Sequence, residues 1–229
     1  LRAAYDEGRI RNDWAWRSVK GFRHVEKNRV DYLNWREAKQ LVDEARPDLR
    51  RLILAGLYTG CRVSELYQIK AADLMDSRMA IYIHPMKTYR GRTIALPEEG
   101  YHFFKALARG KAKDECLLLR DNGTPWKTAY LSEIFRPLKR RLGIPDSFVF
   151  HNIRHTYASL LLQAGTPPIV VARQLGHINM HTVIKTYSHV VDDFYDEELR
   201  HRFKPNFLSQ PELFSNALPG DDKLTKVPS

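Results

Sequence analysis

Phe150-His151-Asn152-Ile153-Arg154-His155-Thr156, Leu175-Gly176-His177 and Thr186-Tyr187-Ser188-His189 fall close together in the chain, and their reading decides the rest. Among its residues are His151 and His177, imidazoles able to donate or shuttle protons, a guanidinium able to clamp a phosphate (Arg154) and a phenol able to act as a nucleophile (Tyr187). His151 and Arg154 are three apart, so a helix places both on one face, where they can meet one phosphate together. Tyr187 follows His177 past Asn179 and Thr182, where a short helix brings it back toward the same point. This is the layout of a reaction centre rather than a packing pattern.

Outward from that stretch the apolar spacing is mostly helical. Asn34 is an N-cap with Glu37 three residues on, and the helix runs to about Arg46. Pro47 opens another helix, which Gly60 ends, and Cys61-Arg62-Val63-Ser64-Glu65-Leu66 begins the next. Residues 80–83 and 92–96 read as strands joined by a Tyr89-Arg90-Gly91 turn, with Lys87 at its edge. Pro97 opens a helix to about Arg109, Leu117–Leu119 reads as a short strand, and Asp121-Asn122-Gly123 is a turn. Further helices are expected over Lys127–Leu142, Phe150–Gln163, from a Thr166 cap to Leu175, from Asn179 or Thr182 to Tyr187, and over Asp192–Phe203. The expected fold is mainly α with a small antiparallel β-sheet (α+β). Three parts are expected: residues 1–30 as the end of a truncated domain and a basic linker, 31–204 as the principal domain, and 205–229 as a Pro-, Ser- and Asp-rich tail.

The 229 residues are 43% hydrophobic, enough for one sizeable core plus appendages. The chain starts at Leu1 rather than Met, so a missing N-terminal part is expected. No apolar run approaches the ~20 residues of a membrane span, and no signal-peptide pattern opens the chain. Cys61 and Cys116 form neither a metal spacing nor a disulfide framework, which suits a reducing cytoplasm. The net charge of +10 favours a polyanionic partner, nucleic acid before a membrane surface.

His151 with His155, and His177 with His181, are spaced i, i+4, and His189 follows, which raises a metal reading. No Glu lies between either pair in the protease pattern, no Asp cluster suits magnesium, and no Gly-rich loop cradles a nucleotide. The expectation is a site with no metal and no cofactor.

The residues resemble a family at this point. Thr59-Gly60-Cys61-Arg62-Val63-Ser64-Glu65-Leu66 resembles the first arginine box of the tyrosine recombinases (phage-type integrases), and Lys87 before the turn resembles their β-hairpin lysine. His151-Asn152-Ile153-Arg154-His155-Thr156 is similar to their His-x-x-Arg box, and Leu175-Gly176-His177 and Thr186-Tyr187-Ser188-His189-Val190 to their last histidine and nucleophile boxes. The boxes fall in the family's order over roughly Arg29 to Phe203, with the step from His177 to Tyr187 one residue longer than the commonest form.

The resemblance implies the tyrosine-recombinase catalytic-domain fold. It also implies a site-specific DNA recombinase or integrase, of prophage or another mobile element, that needs no metal. Tyr187 would attack a phosphodiester of an attachment-type site in double-stranded DNA, leaving a 3′-phosphotyrosine link and a free 5′ hydroxyl. A homotetramer on DNA, accessory DNA-bending proteins and a bacterial or phage-encoded cytoplasmic protein follow from the same likeness. Two other classes fit the residues: a type IB topoisomerase relaxing DNA as a monomer, and a catalytically silent DNA-binding module.

Each role has a physical reason. A phenol of pKa ~10 is only ~0.1% ionised at pH 7, a deficit of ~4 kcal/mol, so nearby cations are expected to lower it. Arg62 and Arg154 suit bidentate contact with a phosphate from either side, and Glu65 can hold Arg62 or a histidine in place. Lys87 is the candidate acid for the departing 5′ oxygen. His151 is expected to act as acid or base on the phosphate oxygens or on Tyr187, and His177 to donate to a phosphate oxygen. Arg90 and Arg92 beside the hairpin, and Lys20 and Arg23 in the linker, are the expected DNA-contacting cations.

Overall fold

The computed structural model describes residues 31–85, 91–177 and 180–188. All of them belong to the compact unit that begins at Asp31. Lys20, Arg23, Lys87, Arg90, Asn179 and His189, the Asp192–Phe203 helix and the 205–229 tail lie outside the described residues.

Helix α1 (Trp35–Glu44) starts with the expected capping box: Asn34 Oδ1 accepts from Glu37 N at 3.0 Å, and Glu37 Oε2 accepts from Asn34 N at 2.8 Å. Pro47, whose missing N–H costs nothing in a first turn, opens α2 (Pro47–Thr59), and Gly60 caps it in the left-handed region at φ 61°. A single turn, α3 (Val63–Leu66), follows, with Arg62 at its N-cap.

The sheet has three antiparallel strands in the order β1 (Leu74–Met75), β2 (Ala80–Ile83), β3 (Arg92–Ala95). The register pairs Ile81 with Ile94 and Ile83 with Arg92 across β2 and β3. The two-residue β1 was not expected, being too short to show alternation. The expected strand at Leu117–Leu119 is instead an extended segment that meets the chain at one bridge, Lys70 with Cys116, and at Leu117 N to Ile69 O, 2.8 Å.

Four helices follow: α4 (Glu98–Ala108), α5 (Thr128–Arg141), α6 (Asn152–Gln163) and α7 (Pro168–Leu175). The N-cap of α7 is Pro167 and carries no side-chain bond, so Thr166 does not cap it as expected. The last described helix, α8 (His181–Thr186), ends at Tyr187.

Two apolar clusters organise these elements. The larger joins α2 (Leu49, Leu52, Ile53), the sheet (Ile81, Ile83, Ile94), Phe104, Phe135, Phe148 and Ile153. The smaller joins the C-terminal half of α6 (Tyr157, Ala158, Leu162) to α7 (Val171, Ala172, Leu175), Val183 and Tyr187. Helix α6 therefore belongs to both, with the buried Arg154 between its two apolar ends. Thr156 ties the chain entering α1 to this helix by accepting from Leu33 N at 3.1 Å.

Candidate active site

Arg154 enters the site from the middle of α6 and is only 4% exposed. Its Nη1 donates to Gly60 O and its Nη2 to Leu175 O, both at 2.8 Å. These carbonyls stand at the C-terminal ends of α2 and α7, where helices leave acceptors without intrahelical partners and the dipole is negative. One guanidinium thus satisfies two helix ends and fixes the angle between them. Both helices end in left-handed glycines, and a Cβ on Gly60 would lie 2.3 Å from the Tyr157 ring. Burial, then Arg62 and Arg92, depress the Arg154 pKa to about 10, still well above neutral pH.

His177 directly follows the α7 cap, and its Nε2 lies 3.3 Å from Arg154 Nη2. A guanidinium only donates, so Nε2 is the acceptor and the imidazole is neutral. That agrees with a pKa pushed down to about 4 by burial, then by Arg154, Arg62 and Arg92. In this state His177 faces Arg154 rather than presenting a proton to a phosphate.

Arg62 is mostly covered, with 19% of its side chain exposed. Glu65, one turn on and buried, accepts from Arg62 N at 2.8 Å and lies 3.4 Å from Arg62 Nη1. Glu65 therefore holds Arg62, one of the two options its position allowed. Its stronger partner is Arg92 on β3, whose Nη1 and Nη2 reach Oε1 at 2.8 Å and Oε2 at 2.9 Å. Arg92 Nε also donates to Gln174 O at 3.0 Å, which leaves its side chain 10% exposed. Arg92, expected to contact DNA, is instead turned inward: it joins β3 to α3 and α7. Burial works against the Glu65 carboxylate, yet the Arg92 and Arg62 donors hold its pKa below the usual range.

His151 precedes α6 and is exposed, with its ring edge-on to that of His155 at 5.0 Å. Although the residue is exposed overall, the partial burial of its ring, then Arg154 and Arg62, lower its pKa. Arg62, Arg154 and His151 thus share one electrostatic environment.

Tyr187 is 2% exposed, seated against the α6–α7 apolar cluster. The expected lowering of its pKa is reversed here: burial raises it above the ordinary tyrosine value, and the proximity of Arg154 offsets only part of that. Its Oη lies 2.7 Å from His155 Nδ1. His155 was singled out only as a possible metal ligand. The signal that placed it was already present: His155 is one turn beyond His151 and adjacent to Arg154, hence on the face that looks toward the reaction centre. Among the described residues no group of three or more His, Cys, Asp or Glu is placed to hold a metal ion.

A cluster of arginines and histidines beside a buried tyrosine is one arrangement with one order in the chain. The model of the phage integrase family matches residues 31–193. The chain belongs to the phage integrase family. It is 25% identical over 209 residues to transposase A from transposon Tn554 of Staphylococcus aureus, covering 77% of this chain and 57% of that protein. It is 28% identical over 185 residues to the integrase of Salmonella phage P22, covering 75% of this chain and 47% of that integrase. This phage integrase family chain thus spans about half the length of the curated relatives it matches.

Among solved structures, the XerA recombinase crystal structure superposes with a TM-score of 0.60 at 25% identity, over 76% of this chain and 66% of that one. The Tn1549 transposon integrase in complex with transposon right end DNA gives 0.67 at 20% identity, over 88% and 76%, a likeness of fold. The mainly helical fold with its small antiparallel sheet is therefore the tyrosine-recombinase catalytic-domain fold. No helix among the described residues is long and apolar enough to cross a membrane.

Proposed function

We propose that the chain is the catalytic part of a site-specific DNA recombinase that cuts and rejoins DNA through Tyr187. The observation that carries this is the linked set of contacts at the site. Glu65 orients Arg62 and Arg92, Arg154 spans Gly60, Leu175 and His177, and His155 meets the Tyr187 phenol. Arg62 and Arg154 clamp the scissile phosphate and stabilise the charge that develops on it, the largest share of such catalysis. Arg154 has five N–H donors, and among the described residues three meet protein acceptors, which leaves two for a phosphate.

Tyr187 forms a bond to phosphorus, and the 5′ oxygen departs with a proton from Lys87. The link conserves the bond energy, so the reverse attack by a 5′ hydroxyl needs no nucleotide. His151 contacts a phosphate oxygen, and His177 exchanges its Arg154 partner for another such oxygen when DNA enters. Arg90, Lys20 and Arg23 follow the DNA backbone. The partner is double-stranded DNA at an attachment-type site of a prophage or transposon, acted on by a homotetramer with accessory DNA-bending proteins in the bacterial cytoplasm.

The test is a nicked suicide duplex mixed with protein in EDTA. A denaturation-resistant adduct, mapped by mass spectrometry to Tyr187 and lost in Tyr187→Phe, is the expected result. An adduct that survives in Tyr187→Phe overturns the nucleophile assignment, and DNA binding with no adduct overturns the enzyme reading.

A further inference from the structure

We propose that His155 is the immediate acceptor of the Tyr187 phenol proton during DNA cleavage, an assignment that rests on the recombinase reading above. The Oη to Nδ1 separation of 2.7 Å is direct hydrogen-bond contact. The phenol is 2% exposed, and among the described residues its oxygen has no other hydrogen-bond partner. Neighbouring groups are unsuited to the task. Arg154 carries no lone pair to accept a proton, and His177 Nε2 faces Arg154 or, once DNA is bound, a phosphate oxygen, and makes no hydrogen bond to Tyr187 among the described residues. His151 braces the His155 ring edge-on and makes no hydrogen bond to Tyr187 among the described residues.

The protonation state fits the role. Burial, then His151, Arg154 and His177, push the His155 pKa down to about 4, so its ring is neutral at physiological pH and Nδ1 can accept. Burial and the Arg154 charge oppose an imidazolium while the site is empty, and burial holds the phenol neutral. Transfer therefore awaits the phosphodiester, whose negative charge offsets Arg62 and Arg154.

In the step itself the Tyr187 Oη–H bond breaks and its proton passes to His155 Nδ1. The Oη–P bond forms, the P–O5′ bond breaks, and its electron pair stays on the 5′ oxygen, which takes a proton from the general acid. In religation the 5′ hydroxyl attacks and the tyrosyl oxygen leaves. His155 then returns the proton to it, as microscopic reversibility requires.

The experiment uses single-turnover cleavage in EDTA of a nicked suicide duplex. Its sequence is first selected from a random-sequence library by covalent capture on the wild-type chain. Rates are compared for wild type, His155→Asn and His155→Gln, each with tyrosine or a fluorinated, more acidic tyrosine at position 187. Both amides keep a polar group against the phenol, and melting curves verify that each variant is folded. With ordinary tyrosine the variants are expected to cleave ~100-fold or more slowly. With the acidic phenol, which needs less help to lose its proton, the deficit is expected to shrink below ~10-fold.

An equal deficit with both phenols assigns His155 to packing and overturns the proposal, as do variants that cleave at the wild-type rate. A wild-type chain that binds DNA but captures none covalently overturns the recombinase reading, and this assignment falls with it.

Discussion

Arg92 and Glu65 meet side on, Nη1 to Oε1 at 2.8 Å and Nη2 to Oε2 at 2.9 Å, with the carboxylate side chain 1% exposed. Their residues come from β3 and the single turn α3, so the pair fastens the sheet to the loop that carries Arg62. A buried bidentate pair of this kind fixes geometry more surely than it adds net stability.

Removing one member should cost more than removing both. Glu65→Leu leaves the Arg92 guanidinium buried without its counter-charge, an expected loss of ~3–5 kcal/mol. The double variant Glu65→Leu/Arg92→Met is expected to recover most of that in urea unfolding while adduct formation stays lost, because Arg62 still lacks its brace. A double variant no more stable than Glu65→Leu would mean that the pair is not the origin of the cost.

Arg154→Lys tests the bridge between helix ends. A single ammonium cannot reach Gly60 O and Leu175 O in the fixed fork geometry of a guanidinium. One buried carbonyl is left without a partner, an expected cost of ~1–3 kcal/mol. Suicide-substrate cleavage is expected to fall by at least ~100-fold, measured alongside the unfolding midpoint.

Gly60→Ala and Gly123→Ala separate crowding from backbone strain. Both positions have φ near +60° to +75°, which costs a non-glycine residue ~1–2 kcal/mol. A Cβ at Gly123 meets nothing within 4 Å, whereas one at Gly60 meets the Tyr157 ring at 2.3 Å and Leu175 at 2.9 Å. Thermal melting should therefore fall clearly further for Gly60→Ala, and cleavage with it, since Gly60 O anchors Arg154.

The histidines make stability acid-sensitive in a defined window. His155, faced by His151, Arg154, His177 and Tyr187, has a folded pKa of about 4 against an ordinary 6.5. Between those values the unfolded chain binds more protons than the folded one, so stability falls as pH drops from 6.5 to 4 and this contribution levels off below 4. His177 acts over the same window with the same sign. Melting temperatures of wild type and the double variant His155→Gln/His177→Gln between pH 7 and 4 should show a shallower decline in the variant. Parallel declines would assign the acid sensitivity to other groups, the Glu65 carboxylate among them.

Much of this protein follows from its sequence through local rules. The Asn34–Glu37 capping box, Pro47, Gly60 and the alternation in Ala80–Ile83 each act within a few residues, so helices and strands stand close to where they were expected. The ordered boxes likewise point to the family and to Arg62, Arg154, His151, His177 and Tyr187 as the candidate residues. Only the tertiary structure decided who meets whom. Arg92 pairs with a carboxylate 27 residues away, Arg154 grips a carbonyl 94 residues away, and His155 touches a phenol 32 residues away. The sign of the Tyr187 shift belongs to the same class. Sequence shows which charges accompany a tyrosine, but only packing shows how much water it loses, and here desolvation outweighs the cations.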